Sequence, residues 1–165
     1  MELRTYPDLD GFGRQILSIP LQAFGDFPTD ITLPSSHFVC LIVAEATEIP
    51  DDVIAHLAGA LLDKGLGYLC AWGPDCSRVH DVFDITIVRR KIEQGIDYPV
   101  PTSWHSKESL DEALWFVLIC AYPDDRYAET CNCTLIITVG NADWTQQVQR
   151  RLANLGQLTL DVVRE

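Results

Sequence analysis

The chain has 165 residues, of which 47% are hydrophobic and 22% are charged, and its formal net charge is −12. This length and composition predict one domain with a single core and exclude an intrinsically disordered chain. Because the acidic residues are spread along the whole chain, they predict a solvated surface that repels nucleic acid and anionic membranes, with attraction of a basic partner as the alternative.

Residues 1–36 are predicted to form an irregular N-terminal arm that packs on the core. Glycine or proline occurs at seven positions between Pro7 and Pro34 and interrupts any long element. Residues 14–24 have room for one short strand or a helical turn. Residues 37–165 are predicted to form a single α/β domain.

The first regular elements after this arm are a strand and a helix. Residues His37–Ala44 (HFVCLIVA) form an unbroken apolar run, which is typical of a parallel strand buried between helices. Residues 51–64 follow with apolar side chains at helical spacing and two aspartates in the first turn, where the helix dipole favours anions. Gly65 and Gly67 end this helix.

A short second strand is predicted over residues 68–72, followed by a helix that begins near Asp75 or Ser77 and runs to about residue 94. The apolar residues assigned to the inner face of this helix are Val79, Val82, Phe83 and Val88. Residues 85–88 are rich in β-branched side chains, so a strand over part of residues 84–94 stays open. Residues 95–104, with two prolines, are predicted to be a loop.

The C-terminal part of the chain continues the alternation. Residues 106–122 predict an amphipathic helix, and residues 134–139 (TLIITV) predict a second buried strand. Asp143 opens a last helix over residues 144–154. Residues 157–163 alternate between apolar and polar side chains, which predicts a half-buried edge strand.

This order of elements predicts an α/β fold: a three-layer, open and mostly parallel sheet whose topology resembles that of Rossmann-like and flavodoxin-like proteins. The order of the strands within the sheet does not follow from the sequence. In open α/β sheets, ligands bind beyond the carboxyl ends of the strands. The residues that directly follow each predicted strand are therefore the candidates for a ligand-binding rim.

Three carboxylates in these positions are the candidate catalytic groups: Glu45, Asp75 and Asp143. Together they would bind Mg²⁺ for chemistry on a phosphate-bearing substrate, because this ion prefers oxygen ligands. The alternative is that both aspartates only cap helices and that Glu45 is solvated. The other rim candidates, expected to contact a ligand, are Trp72, Cys76, Ser77, Arg78 and Asn141.

Other patterns indicate structure rather than a cofactor site. Residues 72–77 (WGPDCS) contain one glycine and no lysine, so they form neither a phosphate-binding loop nor a dinucleotide fingerprint. His80 and Asp84 are spaced to share one face of a helix, where we expect a solvent-facing pair. The cysteines lack the usual spacing of zinc ligands, although the position of Cys76 at a helix N-terminus predicts a lowered thiol pKa. We therefore expect no cofactor and no metal.

Cysteine use predicts a reducing compartment. Cys40 and Cys120, two of the six cysteines, lie in apolar runs, where a reduced thiol behaves as a small hydrophobic side chain. The first residues lack the apolar segment of a signal peptide, and no apolar run reaches the roughly 18 residues of a membrane span. A cytoplasmic location is expected.

No nucleophile, metal or phosphate motif is specific enough to predict a reaction. The first hypothesis is therefore a protein-binding or regulatory domain that recognises a protein partner or forms a homodimer. Its contact residues would be Trp104, Trp115 and Phe116, unless these aromatic side chains are buried in the core. The second hypothesis is a Mg²⁺-dependent enzyme that processes phosphate groups with the three rim carboxylates.

Overall fold

The computed structural model describes residues 2–6, 13–95, 97 and 99–164. Within these residues the protein forms a six-stranded, mostly parallel sheet with five α-helices, which confirms the predicted α/β class. The strands are β1 (Arg4–Tyr6), β2 (Gln15–Leu21), β3 (His37–Ala44), β4 (Leu66–Trp72), β5 (Thr102–Trp104) and β6 (Cys131–Val139). The helices are α1 (Asp51–Asp63), α2 (Cys76–Gln94), α3 (Leu110–Ile119), α4 (Ala142–Leu152) and α5 (Leu155–Val163).

The strands lie in the order β1-β2-β6-β3-β4-β5, and β1 alone among these described strands runs antiparallel to its neighbour. The two apolar runs that predicted buried strands, in β3 and β6, are parallel neighbours at the centre of the sheet. At their ends Ala44 pairs with Val139, and Val43 pairs with Trp72 of β4. The carboxyl ends of these three strands therefore meet at one edge.

Helices cover both faces of the sheet, which is why the side chains of its central strands β3 and β6 are mostly apolar. Phe38 and Cys40 of β3 pack in the core formed with α1 and α2. Val39 and Leu41 point the opposite way, into the core formed with α3, α4 and α5. All four side chains are fully buried. The predicted three-layer arrangement is confirmed.

The N-terminal arm contains more regular structure than predicted, since it contributes β1 and β2 to the sheet. β2 pairs with β6 over its whole length, from Gln15 beside Cys133 to Leu21 beside Val139. Pro20 lacks a backbone N–H but is tolerated in β2. The described residues of β1 pair with residues 16–18, so no residue of β1 requires a hydrogen bond from position 20. The boundary at residue 36 stays a prediction.

The predicted helix to about residue 94 is confirmed, because α2 continues unbroken to Gln94, and the alternative of a strand within residues 84–94 is wrong. Val88 lies on its exposed side, and Ile87 takes the buried position instead. Within the predicted loop, Thr102–Trp104 pairs in parallel with β4 and forms the edge strand β5, which is too short to produce its own sequence pattern.

The prediction of a C-terminal edge strand is wrong, because residues 155–163 form α5. The side chain of Asn154 caps this helix by accepting a hydrogen bond from the backbone N–H of Gln157 at 3.3 Å. Leu155 and Leu158 are buried against the α3 side of the core. Leu155 and Leu158 are three positions apart, which fits a helix. The alternation of apolar and polar residues over 157–163 fits a strand equally well, so the local pattern does not distinguish the two.

Two further expectations concern membranes and thiols. In the part of the chain that the structure describes, no helix is both long and apolar enough to cross a membrane. All six cysteines are free thiols, and Cys120 is the exposed one. The other five contribute their small apolar side chains to buried positions.

Candidate functional site

The carboxyl edge of the sheet opens into a cleft of about 470 Å³, here called the rim cleft. Its residues come from the end of β4, the start of α2, the segment after β5 and the first turn of α4. They are Trp72, Gly73, Pro74, Asp75, Cys76, Ser77, His105, Ser106, Glu108 and Trp144. This position beyond the ends of parallel strands is where open α/β sheets bind ligands.

A tight turn between β4 and α2 forms one side of the rim cleft. Gly73 has a φ of +115°, and a Cβ atom there would lie 2.0 Å from the carbonyl oxygen of Ala44. Asp75 adopts the left-handed conformation with a φ of 63°. The backbone N–H of Ala46 donates to the carbonyl of Pro74 at 3.1 Å. The turn therefore lies directly against the end of β3, which requires glycine at position 73.

Arg78 fixes this turn to its surroundings. Its Nε donates to Oδ2 of Asp75 at 2.8 Å, and its Nη1 donates to Oδ1 of Asp51 at 2.6 Å. Its Nη2 donates to the carbonyl of Ala46. The hydrogen bonds that Arg78 donates to Asp75 and Asp51 raise the pKa of its guanidinium. Arg78 is thus a positioning residue, and the carboxylate of Asp75 binds Arg78 instead of capping α2.

His105 belongs to a chain of polar side chains beside the rim cleft. Its Nδ1 lies 3.6 Å from Oε1 of Glu108, and its Nε2 lies 3.0 Å from Oγ of Ser103. This order of acid, imidazole and hydroxyl is found in hydrolases, but Ser103 does not line the cleft and donates to Sγ of Cys70 at 3.6 Å. These hydrogen-bonded side chains therefore link β5 to β4, and they place no nucleophile in the cleft.

Burial decides the charge states of two cleft residues. Burial lowers the pKa of His105, against the opposing effect of Glu108, which favours a neutral ring near pH 7. Burial also raises the pKa of the Cys76 thiol, which is 2% exposed. The predicted lowering of that pKa by the helix N-terminus is wrong, because desolvation outweighs the nearby backbone N–H groups.

Two indole rings complete the rim cleft. Trp72 and Trp144 meet edge to face, with ring centroids 5.1 Å apart and an angle of 80° between the ring planes. Nε1 of Trp72 donates to the carbonyl oxygen of Glu108 at 2.9 Å. The backbone N–H of Trp144 donates to Oδ1 of Asn141, the residue that caps α4, at 3.0 Å. Both rings are therefore held in place by elements at the carboxyl edge.

The structure does not bring the three candidate carboxylates together. Asp75 lines the rim cleft, whereas Glu45 accepts a hydrogen bond from the N–H of Thr47 at 2.7 Å and Asp143 is exposed in the first turn of α4. Among the described residues, no group of three or more His, Cys, Asp or Glu side chains is placed to hold a metal ion. The described residues therefore do not assemble the predicted Mg²⁺ site.

The remaining rim candidates divide between two pockets. Trp72, Cys76 and Ser77 line the rim cleft, beside Arg78. Asn141 lines a separate pocket of about 320 Å³ at the ends of β2 and β6. Asn141, and not Asp143, supplies the side chain that caps α4.

A second candidate surface lies on the outer side of α2 next to the edge strand β5, and we call it the α2–β5 face. Ile85, Val88 and Ile92 are 57%, 52% and 77% exposed and line a shallow groove of about 430 Å³. They recur at intervals of three and four residues, so they lie on one side of the helix. Trp104 of β5 is 48% exposed and packs against His80 of the same helix, although it does not line the groove itself.

His80 and Asp84 connect β5 to α2 beneath this surface. The ring of His80 packs against Trp104 with centroids 4.5 Å apart, and its Nε2 lies 3.4 Å from Oδ2 of Asp84. Oδ1 of Asp84 accepts a hydrogen bond from Oγ1 of Thr102 at 2.6 Å. His80 is 9% exposed, so the expectation that this pair faces solvent is wrong for the histidine. These contacts hold Trp104 against the N-terminal half of α2.

The three aromatic residues predicted to contact a partner do not share a surface. Trp104 lies on the α2 side of the sheet, whereas Phe116 packs against His105 on the α3 side, with centroids 4.6 Å apart. Trp115 is partly buried, and within the described residues its buried Nε1 has no hydrogen-bond partner. Of these three residues, Trp104 alone belongs to the α2–β5 face.

Several site residues were not found by sequence reasoning. His105 and Glu108 follow β5, so inspection of the residues after each strand would have found them if β5 had been predicted. The exposed apolar side of α2 was easier to recognise from the sequence. Ile85, Val88 and Ile92 repeat at helical spacing on a different side from the buried Val79 and Phe83.

Comparison with known proteins assigns this α/β chain to a family. Residues 21–155 match the family described as "Domain of unknown function (DUF7684)", and the protein belongs to that family. None of the curated proteins compared with the chain matches it. The matched residues begin at the end of β2 and reach the first residue of α5, so they include the rim cleft and the α2–β5 face.

Proposed function

We propose that this protein is a protein-binding domain of the adaptor or regulatory kind, which docks its partner on the α2–β5 face. The observation that carries the proposal is the exposure of Ile85, Val88 and Ile92 on one side of α2, and Trp104 of the adjacent strand β5 is exposed as well. Contiguous exposed apolar side chains mark interaction sites, and tryptophan is enriched among the residues that dominate binding energy. The free thiols support a cytoplasmic location.

The charges around the groove favour a basic partner. Asp84 and Glu93 line the groove together with one cation, Arg89, and the side chain of Asp81 is exposed on the same helix. The net charge of −12 adds a long-range attraction for positive proteins. A second copy of this chain would bring more carboxylates to the same surface. The favoured occupant therefore presents apolar side chains flanked by lysine or arginine.

The open edge of β5 supplies a further mode of contact. Leu69 donates its N–H to the carbonyl of Pro101, and His105 donates its N–H to the carbonyl of Ala71. Because backbone groups alternate in direction along a strand, those of Thr102 and Trp104 point away from β4. An extended segment of the partner can add hydrogen bonds there while its side chains enter the groove.

Photo-crosslinking tests this docking surface in the full-length chain. A photoreactive amino acid replaces Val88 in one protein and Leu160 in a control, because Leu160 is an apolar residue of α5 that is 48% exposed. In cells, position 88 is expected to give a discrete adduct with a basic protein, identified by mass spectrometry, and position 160 is not. Equal adducts at both positions, or none at position 88, would contradict the proposal.

A paired substitution tests whether the apolar stripe provides the affinity. Ile85→Ser combined with Ile92→Ser is expected to lower the yield of the adduct at position 88 at least about tenfold, because it removes two apolar contacts. Leu160→Ser is the matched control and leaves the yield unchanged. An adduct that persists in the double variant would refute the role of the stripe. An adduct between two copies of the chain would show that this face forms a homodimer instead of binding a basic partner.

A further inference from the structure

We propose that the rim cleft binds a small organic cation through an alkylammonium group. This site is separate from the docking surface, because it lies at the carboxyl edge of the sheet and shares no lining residue with the groove on α2. Its volume of about 470 Å³ falls within the range of small-molecule sites. The lining combines two indole rings with two carboxylates, which is the combination that recognises ammonium groups.

The two tryptophans favour a cation over a hydrogen-bond acceptor. Nε1 of Trp72 already donates to the carbonyl of Glu108, so it is not available to an anionic ligand. The indole faces carry negative electrostatic potential, and Trp72 and Trp144 are both partly exposed. The edge-to-face contact between them holds the rings in fixed orientations, which limits the entropy lost on binding.

Glu108 is the carboxylate that remains available to a ligand. Asp75, the other acidic residue in the lining, is paired with Arg78 at 2.8 Å. Oε1 of Glu108 contacts the imidazole of His105, which burial keeps neutral near pH 7, and Oε2 accepts a hydrogen bond from the backbone N–H of Lys107 at 3.2 Å. Within the described residues no lysine or arginine side chain lies within ion-pair distance of this carboxylate, which is 44% exposed. A cation that enters the cleft would therefore neutralise a charge that has no cationic partner.

The N-terminus of α2 does not make this an anion site. The backbone N–H groups of Cys76, Arg78 and Val79 donate to carbonyls of the preceding turn, at 3.1 to 3.4 Å. Helix N-termini bind phosphate through unsatisfied N–H groups, and three of those at the start of α2 are already occupied. The carboxylate of Glu108, which also lines the cleft, would repel an anion.

Spectra of the ¹⁵N-labelled full chain test the site through its four indole N–H signals. The signals are assigned with Trp72→Phe and Trp144→Phe. At constant ionic strength, n-butylammonium is expected to shift the signals of Trp72 and Trp144 in a saturable manner, and to leave those of Trp104 and Trp115 unchanged. The neutral isostere 1-butanol and inorganic phosphate are expected to shift none of them. Equal shifts with 1-butanol, shifts with phosphate, or no shift with the amine would overturn the proposal.

Glu108→Gln removes the negative charge of the carboxylate and keeps the backbone carbonyl that accepts the hydrogen bond from Trp72. We expect this variant to bind n-butylammonium about two- to fivefold more weakly, as loss of a partly exposed ion pair predicts. Glu129→Gln is the matched control, because Glu129 is exposed just before β6, at the opposite edge of the sheet. Unchanged affinity in Glu108→Gln would sink the assignment. Neither variant alters the α2–β5 face, so the two proposals fail independently.

Discussion

The Nε of Arg14 donates a hydrogen bond of 2.8 Å to Oγ1 of Thr134, within the central strand β6. Its other two nitrogens donate to the carbonyls of Ala121 and Val117 at the end of α3, at 2.9 and 2.8 Å. The guanidinium therefore satisfies carbonyls that lack partners at the helix C-terminus, and its positive charge faces the negative end of the helix dipole. Burial lowers the pKa of Arg14, yet a guanidinium stays charged near neutral pH.

Replacement of Arg14 by methionine tests this contact. Arg14→Met is expected to lower the free energy of unfolding by about 2 kcal/mol, because part-buried carbonyl and hydroxyl oxygens lose a charged donor. Urea denaturation measures the change. Arg150→Met, at an exposed position of α4, is the control and is expected to change stability by less than about 0.5 kcal/mol. Similar losses in the two variants would show that Arg14 has no special structural role.

Gly73→Ala tests the tight turn beside the rim cleft. The new Cβ would lie 2.0 Å from the carbonyl oxygen of Ala44 at a φ of +115°, so the turn must move or unfold. We expect a loss of about 3 kcal/mol in thermal or urea denaturation. Gly156→Ala in α5 meets no atom within 4 Å and is expected to stabilise by about 0.5 kcal/mol. A neutral result for Gly73→Ala would disprove the close approach of this turn to β3.

Stability is expected to depend on pH through His105. Burial places the pKa of this histidine in the folded protein below its ordinary value of 6.5. The unfolded chain therefore binds a proton at higher pH than the folded protein, and the free energy of unfolding falls as the pH decreases through that value. His105→Gln is expected to lose less stability than the unchanged protein between about pH 7.5 and about pH 5.5.

Urea titrations of the two proteins at both pH values measure this difference. Burial also lowers the pKa of His37, so the variant is expected to keep a smaller dependence on pH. Identical losses in the two proteins would show that burial of His105 does not affect its protonation.

Thiol reactivity is expected to separate Cys120 from Cys76. Thiolates react with disulfide reagents, and burial raises the pKa of Cys76 while Cys120 is the exposed cysteine. An aromatic disulfide reagent at about pH 8 is expected to modify one thiol rapidly in the folded protein. Cys120→Ser should remove this rapid phase, and Cys76→Ser should retain it. A rapid phase that disappears in Cys76→Ser would instead indicate an activated thiol in the rim cleft.

The sequence predicted best the strands that are buried on both faces, because burial alone restricts most of their residues to apolar types. β3 and β6 are covered on both faces, so their apolar runs are continuous. The three-residue strand β5 exists because β4 offers it an edge, and α5 forms because Asn154 caps it and Leu158 packs in the core. Such effects arise from tertiary contacts, which a local pattern does not contain.

The candidate site was predictable in position but not in composition. Inspection of the residues beyond the strand ends predicted that Trp72, Cys76 and Ser77 lie at one edge of the sheet, and the structure places them around one cleft. Pairing of Asp75 with Arg78 was not predictable, because it depends on the left-handed turn between β4 and α2. Trp144 meets Trp72 only because β6 crosses back to lie next to β3, which the order of residues does not reveal.

Among the described residues, the strands at both borders of the sheet, β1 and β5, are each three residues long. A strand from another copy that added to either border would find only a few backbone groups to pair with, far fewer than a growing fibre needs at each step. Open-ended polymerisation along these borders is therefore disfavoured, although β3 and β6 carry mostly apolar side chains and would polymerise readily if they were uncovered.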